Sequence, residues 1–246
     1  MTNNAYNEEH FTTTLWNYFP GIIKTLSVIG IVVSIFTLFN GFLDSSSSTS
    51  DQYSYNQAII RDYNYSYGNK DSRVKYVYFI DFQCPACKGN NEKFKQIKEE
   101  YKDRVLFVYK HNPLTQIHTN AKQAAIAIQA AREQGKFIEF AEEAFANQQN
   151  LGSDSLEKYA QNIGLDIPKW KSDIGNKKII NYVSYDQKDL ENTFLDKSSI
   201  TNTTKPVGEG AGTPTNVLMK DGKVQDWWTG GQEISVVKEK LDNLLK

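Results

Sequence analysis

The 246-residue chain has little cysteine and almost no net charge. It contains two cysteines, two methionines and six prolines, and its 28 basic side chains nearly balance 29 acidic ones, for a formal net charge of −1. Two cysteines exclude a disulfide-dense secreted scaffold and any metal centre with four cysteine ligands. Near-neutrality argues against a nucleic-acid binder that relies on bulk neutralisation of phosphates, so no nucleic-acid partner is expected.

Apolar and aromatic side chains, by contrast, are plentiful. Hydrophobic residues make up 39% of the chain and aromatic residues 13%, which is enough for a sizeable core. The length suits one domain, or one domain with appendages.

The longest apolar run lies near the amino terminus. Residues 22–43 carry a single charge, on Lys24, and about 20 apolar residues are enough for an α-helix to cross a bilayer. We therefore predict a retained transmembrane anchor at residues 22–43, with the lipid bilayer as a partner, and a cytoplasmic segment at residues 1–21. The alternatives are a cleaved signal peptide, which has a shorter apolar core and a small-residue cleavage site, and a buried core helix.

The charges around this run indicate its orientation. Lys24 and the amino terminus precede it, whereas no Lys or Arg follows it before Arg61. Positive charge favours the cytoplasmic side of a membrane. The sequence thus predicts a single-pass membrane protein whose larger, carboxyl-terminal part is extracytoplasmic, in a periplasm or at the cell exterior.

A polar stretch follows the apolar run. It opens with residues 44–50 (DSSSSTS), which offer nothing to bury and are typical of a flexible tether. Tyr63, Tyr65 and Tyr67 near its end fit either an ordered lead-in strand or a linker with a partly docked end. We favour the second interpretation and predict a polar linker over residues 44–72.

From residue 73 onward the pattern is that of an α/β domain. A strand rich in β-branched and aromatic residues, an amphipathic helix and a second strand form a βαβ unit. Alanine-rich helical segments come next, and then a β-hairpin with the favoured Asp-Gly turn and a final helix. The segments are residues 74–82 (strand), 92–101 (helix), 105–109 (strand), 118–191 (helices), 216–228 (hairpin) and 234–245 (helix).

Both cysteines belong to one motif, Cys84-Pro85-Ala86-Cys87, between the first strand and the first helix. A C-x-x-C motif beside a βαβ unit is typical of a redox pair, and the absence of a second cysteine pair argues against zinc. The helix amino terminus favours a Cys84 thiolate, and Pro85 fits the first turn, where its missing N–H is harmless. Cys87 lies one turn later and can close or open a disulfide. A structural disulfide and two free thiols are the alternatives.

Two short segments carry a family resemblance. Residues 79–87 (FIDFQCPAC) and 212–215 (GTPT) resemble the DsbA-like thiol:disulfide oxidoreductases of the thioredoxin superfamily, of the membrane-anchored bacterial type. The resemblance implies an α/β thioredoxin fold with an inserted helical domain at about residues 115–195, within a domain that spans residues 73–246. Residues between the two segments that match the family's insertion are Asn112-Pro-Leu114, His118, Ala121, Ala124-Ala125 and Gln134-Gly-Lys-Phe137.

The resemblance also implies roles for single residues. Pro214 matches the family's cis-proline, which lies beside the active-site cysteines, and Thr213 would present its backbone to an extended substrate chain. Asp81 is a possible proton relay, or else a carboxylate that only holds the end of the strand. Tyr78 stands where many relatives have a buried acid. For His118 a capping or packing role is favoured over that of a catalytic base.

The function implied is thiol:disulfide exchange in the oxidase direction, with Cys84 and Cys87 as the catalytic pair. The chain would introduce disulfides into exported proteins that carry cysteine thiols, and a membrane quinone-linked partner of the DsbB or VKOR type would reoxidise it. The Pro85-Ala86 dipeptide lacks an imidazole, so a less extreme oxidant than the Pro-His relatives is expected. No metal or organic cofactor is expected. The alternatives are an exported reductase or isomerase with the same cysteines, and a non-catalytic thioredoxin-fold binding or chaperone module.

Overall fold

The computed structural model describes residues 60–195 and 212–246, all of which fall in one compact unit. The strands are β1 (Tyr65–Gly68), β2 (Val74–Ile80), β3 (Leu106–His111), β4 (Thr215–Lys220) and β5 (Lys223–Thr229). The helices are α1 (Pro85–Tyr101), α2 (Ala121–Arg132), α3 (Phe137–Ala146), α4 (Ser153–Asn162), α5 (Ile167–Ile174), α6 (Lys177–Leu195) and α7 (Ile234–Leu245).

The predicted membrane anchor at residues 22–43 lies outside these ranges, as does the predicted cytoplasmic segment at residues 1–21. Within residues 60–195 and 212–246, no helix is both long enough and apolar enough to cross a membrane. The anchor therefore stays a prediction from the sequence.

The five strands form one mixed sheet in the order β1-β3-β2-β4-β5. β2 and β3 are parallel and are joined through α1, while the other pairs are antiparallel. β2 is central, and six of its seven residues are buried. A strand covered on both faces needs apolar side chains on both sides, which explains why its sequence, VKYVYFI, does not alternate.

The predicted helical insertion is present between β3 and β4. Helices α2 to α6 follow β3 in the chain, and α2 contacts all four of the others. Its inward face is mostly alanine, for example Ala124, Ala127 and Ala131, so neighbouring helices approach closely. α6 also packs on β3, which joins the insertion to the sheet. The result is a mixed α/β, thioredoxin-like fold.

The prediction of a polar linker over residues 44–72 is wrong for its last part. Tyr65–Gly68 is an edge strand, antiparallel to β3, and the Tyr65 ring stacks on that of Phe137 at a centroid distance of 4.7 Å. Tyr63 stacks on Tyr182 of α6 at 3.9 Å. Because its aromatic rings pack against the domain, this segment belongs to the domain. The predicted start of the domain at residue 73 is therefore also too late.

The carboxyl-terminal hairpin and helix are confirmed. Asp221 and Gly222 join β4 to β5 with φ angles of 54° and 77°, the left-handed backbone that a two-residue hairpin turn requires. α7 has the predicted bounds. Trp228 of β5 lies in the main hydrophobic core.

Candidate active site

The two cysteines lie where the central strand β2 gives way to α1. Cys84 is the residue that precedes the first helical residue, Pro85, and its backbone is extended, with φ −77° and ψ 121°. Its carbonyl accepts the first helical hydrogen bond, from the N–H of Lys88, at 3.2 Å. Cys84 therefore sits at the amino terminus of α1, as predicted, where free N–H groups and the helix dipole favour a negative charge.

The thiols of Cys84 and Cys87 are both free, and they occupy different environments. Cys84 is 7% exposed and Cys87 is fully buried. The pKa of Cys84 is lowered to about 5, chiefly by a hydrogen bond that the Cys87 thiol donates. Thr213 and the N–H groups of Cys87 and Ala86 make smaller contributions, and together these outweigh burial, which raises the pKa. Burial, followed by the hydrogen bond to Cys84 and the charge on Cys84, raises the pKa of Cys87 well above its ordinary value.

This asymmetry determines what the pair can do. At neutral pH Cys84 is a thiolate and Cys87 a thiol. A thiolate is both the attacking group and the better leaving group in thiol–disulfide exchange. The arrangement thus suits exchange at Cys84, with Cys87 closing the disulfide behind it.

The structure brings the predicted substrate-binding loop to the cysteines. The peptide bond between Thr213 and Pro214 is cis, which the resemblance implied, and the Thr213 carbonyl oxygen lies 3.4 Å from the Cys84 sulfur. The Pro214 carbonyl accepts a hydrogen bond of 2.7 Å from the N–H of Gly230. This bond holds the loop to the residue directly after β5.

Asp81, the possible proton relay, is buried, and its carboxylate has three donors. They are the N–H of Gln83 at 2.7 Å, the N–H of Leu114 at 2.9 Å and Nδ1 of His118 at 2.7 Å. Its contact with Cys87 is made by the main-chain N–H, 3.4 Å from the sulfur. The carboxylate thus holds the loop after β3 against residues 81–84, which we call the cysteine turn. A proton-relay role for Asp81 stays a prediction.

Two of the other residues singled out in the sequence are explained by these contacts. The capping position of α2 belongs to Asn120, so His118 pairs with Asp81 rather than capping the helix. Tyr78, in place of an acid, is fully buried and stacks on Phe94 at 4.2 Å. Burial raises the pKa of Tyr78 well above its ordinary value, so the hydroxyl stays neutral, and it accepts a hydrogen bond of 3.3 Å from the Asn90 amide.

Two glutamines that no sequence pattern singled out, Gln83 and Gln148, hold the cysteine turn. The Gln83 side-chain oxygen accepts a hydrogen bond of 2.7 Å from the N–H of Asn120, at the start of α2. Gln148, just beyond α3, donates to the carbonyls of Phe82 and Cys84. Gln148 lies in a polar run, ANQQN, which is typical of a loop and gives no sign of these contacts.

No metal site accompanies the cysteines in the described part of the chain. Over residues 60–195 and 212–246, no three His, Cys, Asp or Glu side chains are grouped so that they could hold a metal ion.

Comparison with known proteins identifies the family. A family model described as Thioredoxin matches residues 61–198. The chain belongs to the thioredoxin family. The match begins at residue 61, in agreement with the early start of the folded domain.

Solved structures give the fold in more detail. A thioredoxin-like oxidoreductase from Silicibacter pomeroyi is 19% identical, with a TM-score of 0.60 over 75% of this chain and 94% of that one. The thiol-disulfide exchange protein α-DsbA2 from Wolbachia pipientis is 20% identical, with a TM-score of 0.59 over 74% and 87%. The catalytic domain of Proteus mirabilis ScsC is 17% identical, with a TM-score of 0.57 over 75% and 90%. The fold is that of the DsbA-like thiol:disulfide oxidoreductases.

Curated relatives share one segment with this chain. The Na(+)/H(+) antiporter NhaA 1 of Mycobacterium sp. (strain KMS) is 32% identical over 126 residues, which are 50% of this chain and 21% of the antiporter. NhaA 3 of Salinispora tropica is 32% identical over 111 residues, 45% of this chain and 17% of that protein. The chain spans about a fifth of the length of the curated relatives it matches.

Proposed function

We propose that this chain is an extracytoplasmic protein thiol:disulfide oxidoreductase that introduces disulfides into exported proteins. The observation that carries the proposal is the unequal pair, an ionised Cys84 at the helix amino terminus backed by a buried, protonated Cys87. A stabilised thiolate favours the reduced form of the pair, and an oxidoreductase whose reduced form is favoured is an oxidant toward its substrates.

The reaction begins with the Cys84–Cys87 disulfide. A substrate thiolate attacks the Cys84 sulfur, so a mixed disulfide forms while the Cys84–Cys87 bond breaks and Cys87 leaves and takes up a proton. The second substrate thiolate then attacks the substrate sulfur of the mixed disulfide, and Cys84 leaves as a thiolate. Two substrate thiols are oxidised, the cysteine pair gains two electrons, and the remaining proton goes to solvent.

The elements around the pair support this course. The Thr213 carbonyl faces the Cys84 sulfur at 3.4 Å, so an extended substrate beside residues 213–214 would meet the reactive sulfur. Between the cysteines, Pro85 and Ala86 supply no imidazole, and the largest stabilising contribution comes from the Cys87 thiol itself. We expect an oxidant of intermediate strength.

Partners and location belong to the same proposal. The apolar run at residues 22–43 would hold the domain at the outer face of the membrane. A membrane quinone-linked reoxidase of the DsbB or VKOR type would then share that plane, and confinement raises the effective concentration of the two proteins. No metal or organic cofactor takes part in the exchange.

The direction of the reaction is tested by the reduction potential of the pair. The full chain in detergent micelles is equilibrated in glutathione buffers, and reoxidation of a reduced, unfolded substrate is followed in parallel. A potential toward about −120 mV supports an oxidase, whereas a value near about −270 mV, the thioredoxin range, would make the protein an exported reductase. Cys84→Ser should abolish oxidation. If Cys84→Ser left oxidation intact, the thioredoxin-fold binding module would be the better description.

The location is tested separately. In intact cells, a membrane-impermeant maleimide should label Cys84 of the reduced protein. Labelling only after the membrane has been opened would place the domain in the cytoplasm and overturn this part of the proposal.

A further inference from the structure

Gln148 connects the helical insertion to the backbone of the cysteine turn, residues 81–84. Its side chain is 4% exposed, and its amide nitrogen donates two hydrogen bonds, of 2.9 Å to the Phe82 carbonyl and 2.8 Å to the Cys84 carbonyl. Both acceptors lie in the turn that leads from β2 into α1. Within residues 60–195 and 212–246, no other side chain donates to either carbonyl.

Loss of the Gln148 amide would be unfavourable for the two carbonyls. A buried main-chain carbonyl that loses its partner costs free energy, so the backbone moves to find another. The Cys84 carbonyl has a second donor, the N–H of Lys88 at 3.2 Å, which forms the first hydrogen bond of α1. A substitution at Gln148 that moves this carbonyl therefore also changes that hydrogen bond. The Ala86 and Cys87 N–H groups, which stabilise the Cys84 thiolate, lie in the same first turn.

We infer that Gln148 is a positioning residue through which the helical insertion holds Cys84 in its reactive geometry at the start of α1. The inference deepens the proposed function and rests on it. Gln148 touches neither thiol nor substrate in this assignment, and it acts through the Phe82 and Cys84 carbonyls alone. The adjacent ring contact, between Phe145 and Phe82 at 5.1 Å, is apolar and cannot replace the two donors.

The test is Gln148→Met in the full chain, because methionine has nearly the same length and no N–H. The rate at which Cys84 reacts with iodoacetamide is measured between pH 3.5 and pH 9, with the modified residue identified by mass spectrometry. We expect the midpoint of this rate against pH, which reports the pKa of Cys84, to rise by about half a unit to one pH unit. A shift of this size corresponds to the free energy of one hydrogen bond. At pH 4.5 the rate should then fall about three- to eightfold.

Gln129→Met is the matched control. Gln129 is also a buried amide in the insertion, and it donates a hydrogen bond of 2.9 Å to a main-chain carbonyl outside the cysteine turn, that of Tyr63. A purely structural effect would lower the melting temperature of both variants and leave both pH profiles at the wild-type midpoint. We expect the midpoint to move only in Gln148→Met.

The outcomes separate this inference from the proposed function. A folded Gln148→Met variant with the wild-type midpoint overturns the inference, whatever the wild-type value is. A wild-type midpoint near the ordinary cysteine value overturns the basis of the proposed function instead. If Gln148→Met does not fold, Gln148→Asn, whose amide is one methylene short of the two carbonyls, is measured in its place under the same criteria.

Discussion

The two sulfur atoms differ in chemistry because a hydrogen bond from Cys87 lowers the pKa of Cys84, whereas burial raises the pKa of Cys87. The C-x-x-C spacing and the position of Pro85 at a helix start are legible in the sequence, so the identity of the reactive Cys84 was predictable. The role of the Cys87 thiol as the main hydrogen-bond donor to Cys84 was not predictable, because that contact depends on how deeply the first turn of α1 is buried. The pairing of His118 with Asp81 likewise joins residues that are 37 positions apart.

The lowered pKa of Cys84 predicts a pH-dependent stability of the reduced protein. Because the folded value, about 5, lies below the ordinary value of 9.0, ionised Cys84 stabilises the folded state fully above pH 9, and this contribution is lost as the pH falls through 5. Urea unfolding in excess reductant should thus show the difference in unfolding free energy between wild type and Cys84→Ser growing from pH 5 to pH 9. A difference that does not change over this window would contradict the assigned ionisation.

Asp81→Asn is expected to destabilise the fold. The carboxylate accepts from two main-chain N–H groups and from His118, and an amide leaves one of these donors facing an NH₂ group. We expect a loss of about 2–4 kcal/mol in the free energy of unfolding, against almost none for Asp71→Asn at an exposed position. If Asp81 is also a proton relay, the pH profile of disulfide exchange moves in the same variant. An unchanged profile restricts Asp81 to holding the loop.

At the scale of helices and strands, prediction succeeded where one physical signal dominated. β2 is a continuous apolar strand, the hairpin has its Asp-Gly turn, and α7 is amphipathic, so all three were found. The apolar periodicity of α1 begins only at residue 92, because its first turns carry few apolar residues, and its start at Pro85 was predicted from the C-x-x-C motif instead. β1 has only four residues, YSYG, and its pairing with β3 depends on a strand about 40 positions away.

Gly68→Ala tests whether β1 is an integral part of the domain. The backbone there has φ +99°, and a Cβ atom would lie 2.4 Å from the Val105 carbonyl oxygen. Gly135 is the matched control, since its φ is +72° and nothing lies within 4 Å of the added atom. We expect Gly135→Ala to cost about 1–2 kcal/mol for the left-handed backbone, and Gly68→Ala about 2 kcal/mol more. Equal losses in thermal and urea unfolding would mean that β1 detaches at little cost.

At the scale of the whole molecule, buried charges join the sheet to the helical insertion. Lys110 of β3 is buried beside Asp186 and Asp189 of α6, and Arg61, ahead of β1, also binds Asp189. No sequence pattern indicates this network, because its members are spread over nearly 130 positions and each resembles an ordinary surface charge. These residues come into contact only when the sheet and the helical insertion pack against each other.

Lys110→Met should therefore be one of the most destabilising single changes in the chain. Removal of the ammonium group leaves two carboxylates close together and away from water, and breaking a buried ion pair from one side costs about 3–5 kcal/mol. Asp186 would keep its bonds from the His111 N–H and the Asn64 amide, both of 2.9 Å, and Asp189 would keep its pair with Arg61, so the loss comes from the removed positive charge between the two carboxylates.

The control for this change is Arg73→Met, which breaks the exposed pair between Arg73 and Asp221 and should cost little, because solvent screens exposed ion pairs. Urea unfolding measures both variants, and iodoacetamide titration measures Cys84 in each. Because Lys110, Asp186 and Asp189 belong to β3 and α6 and not to the cysteine turn, Lys110→Met should lower stability without moving the Cys84 midpoint. A moved midpoint would mean that the junction of sheet and insertion, and not Gln148 alone, governs the reactive cysteine. A stability loss no larger than that of Arg73→Met would mean that the buried charges contribute little to holding the two parts together.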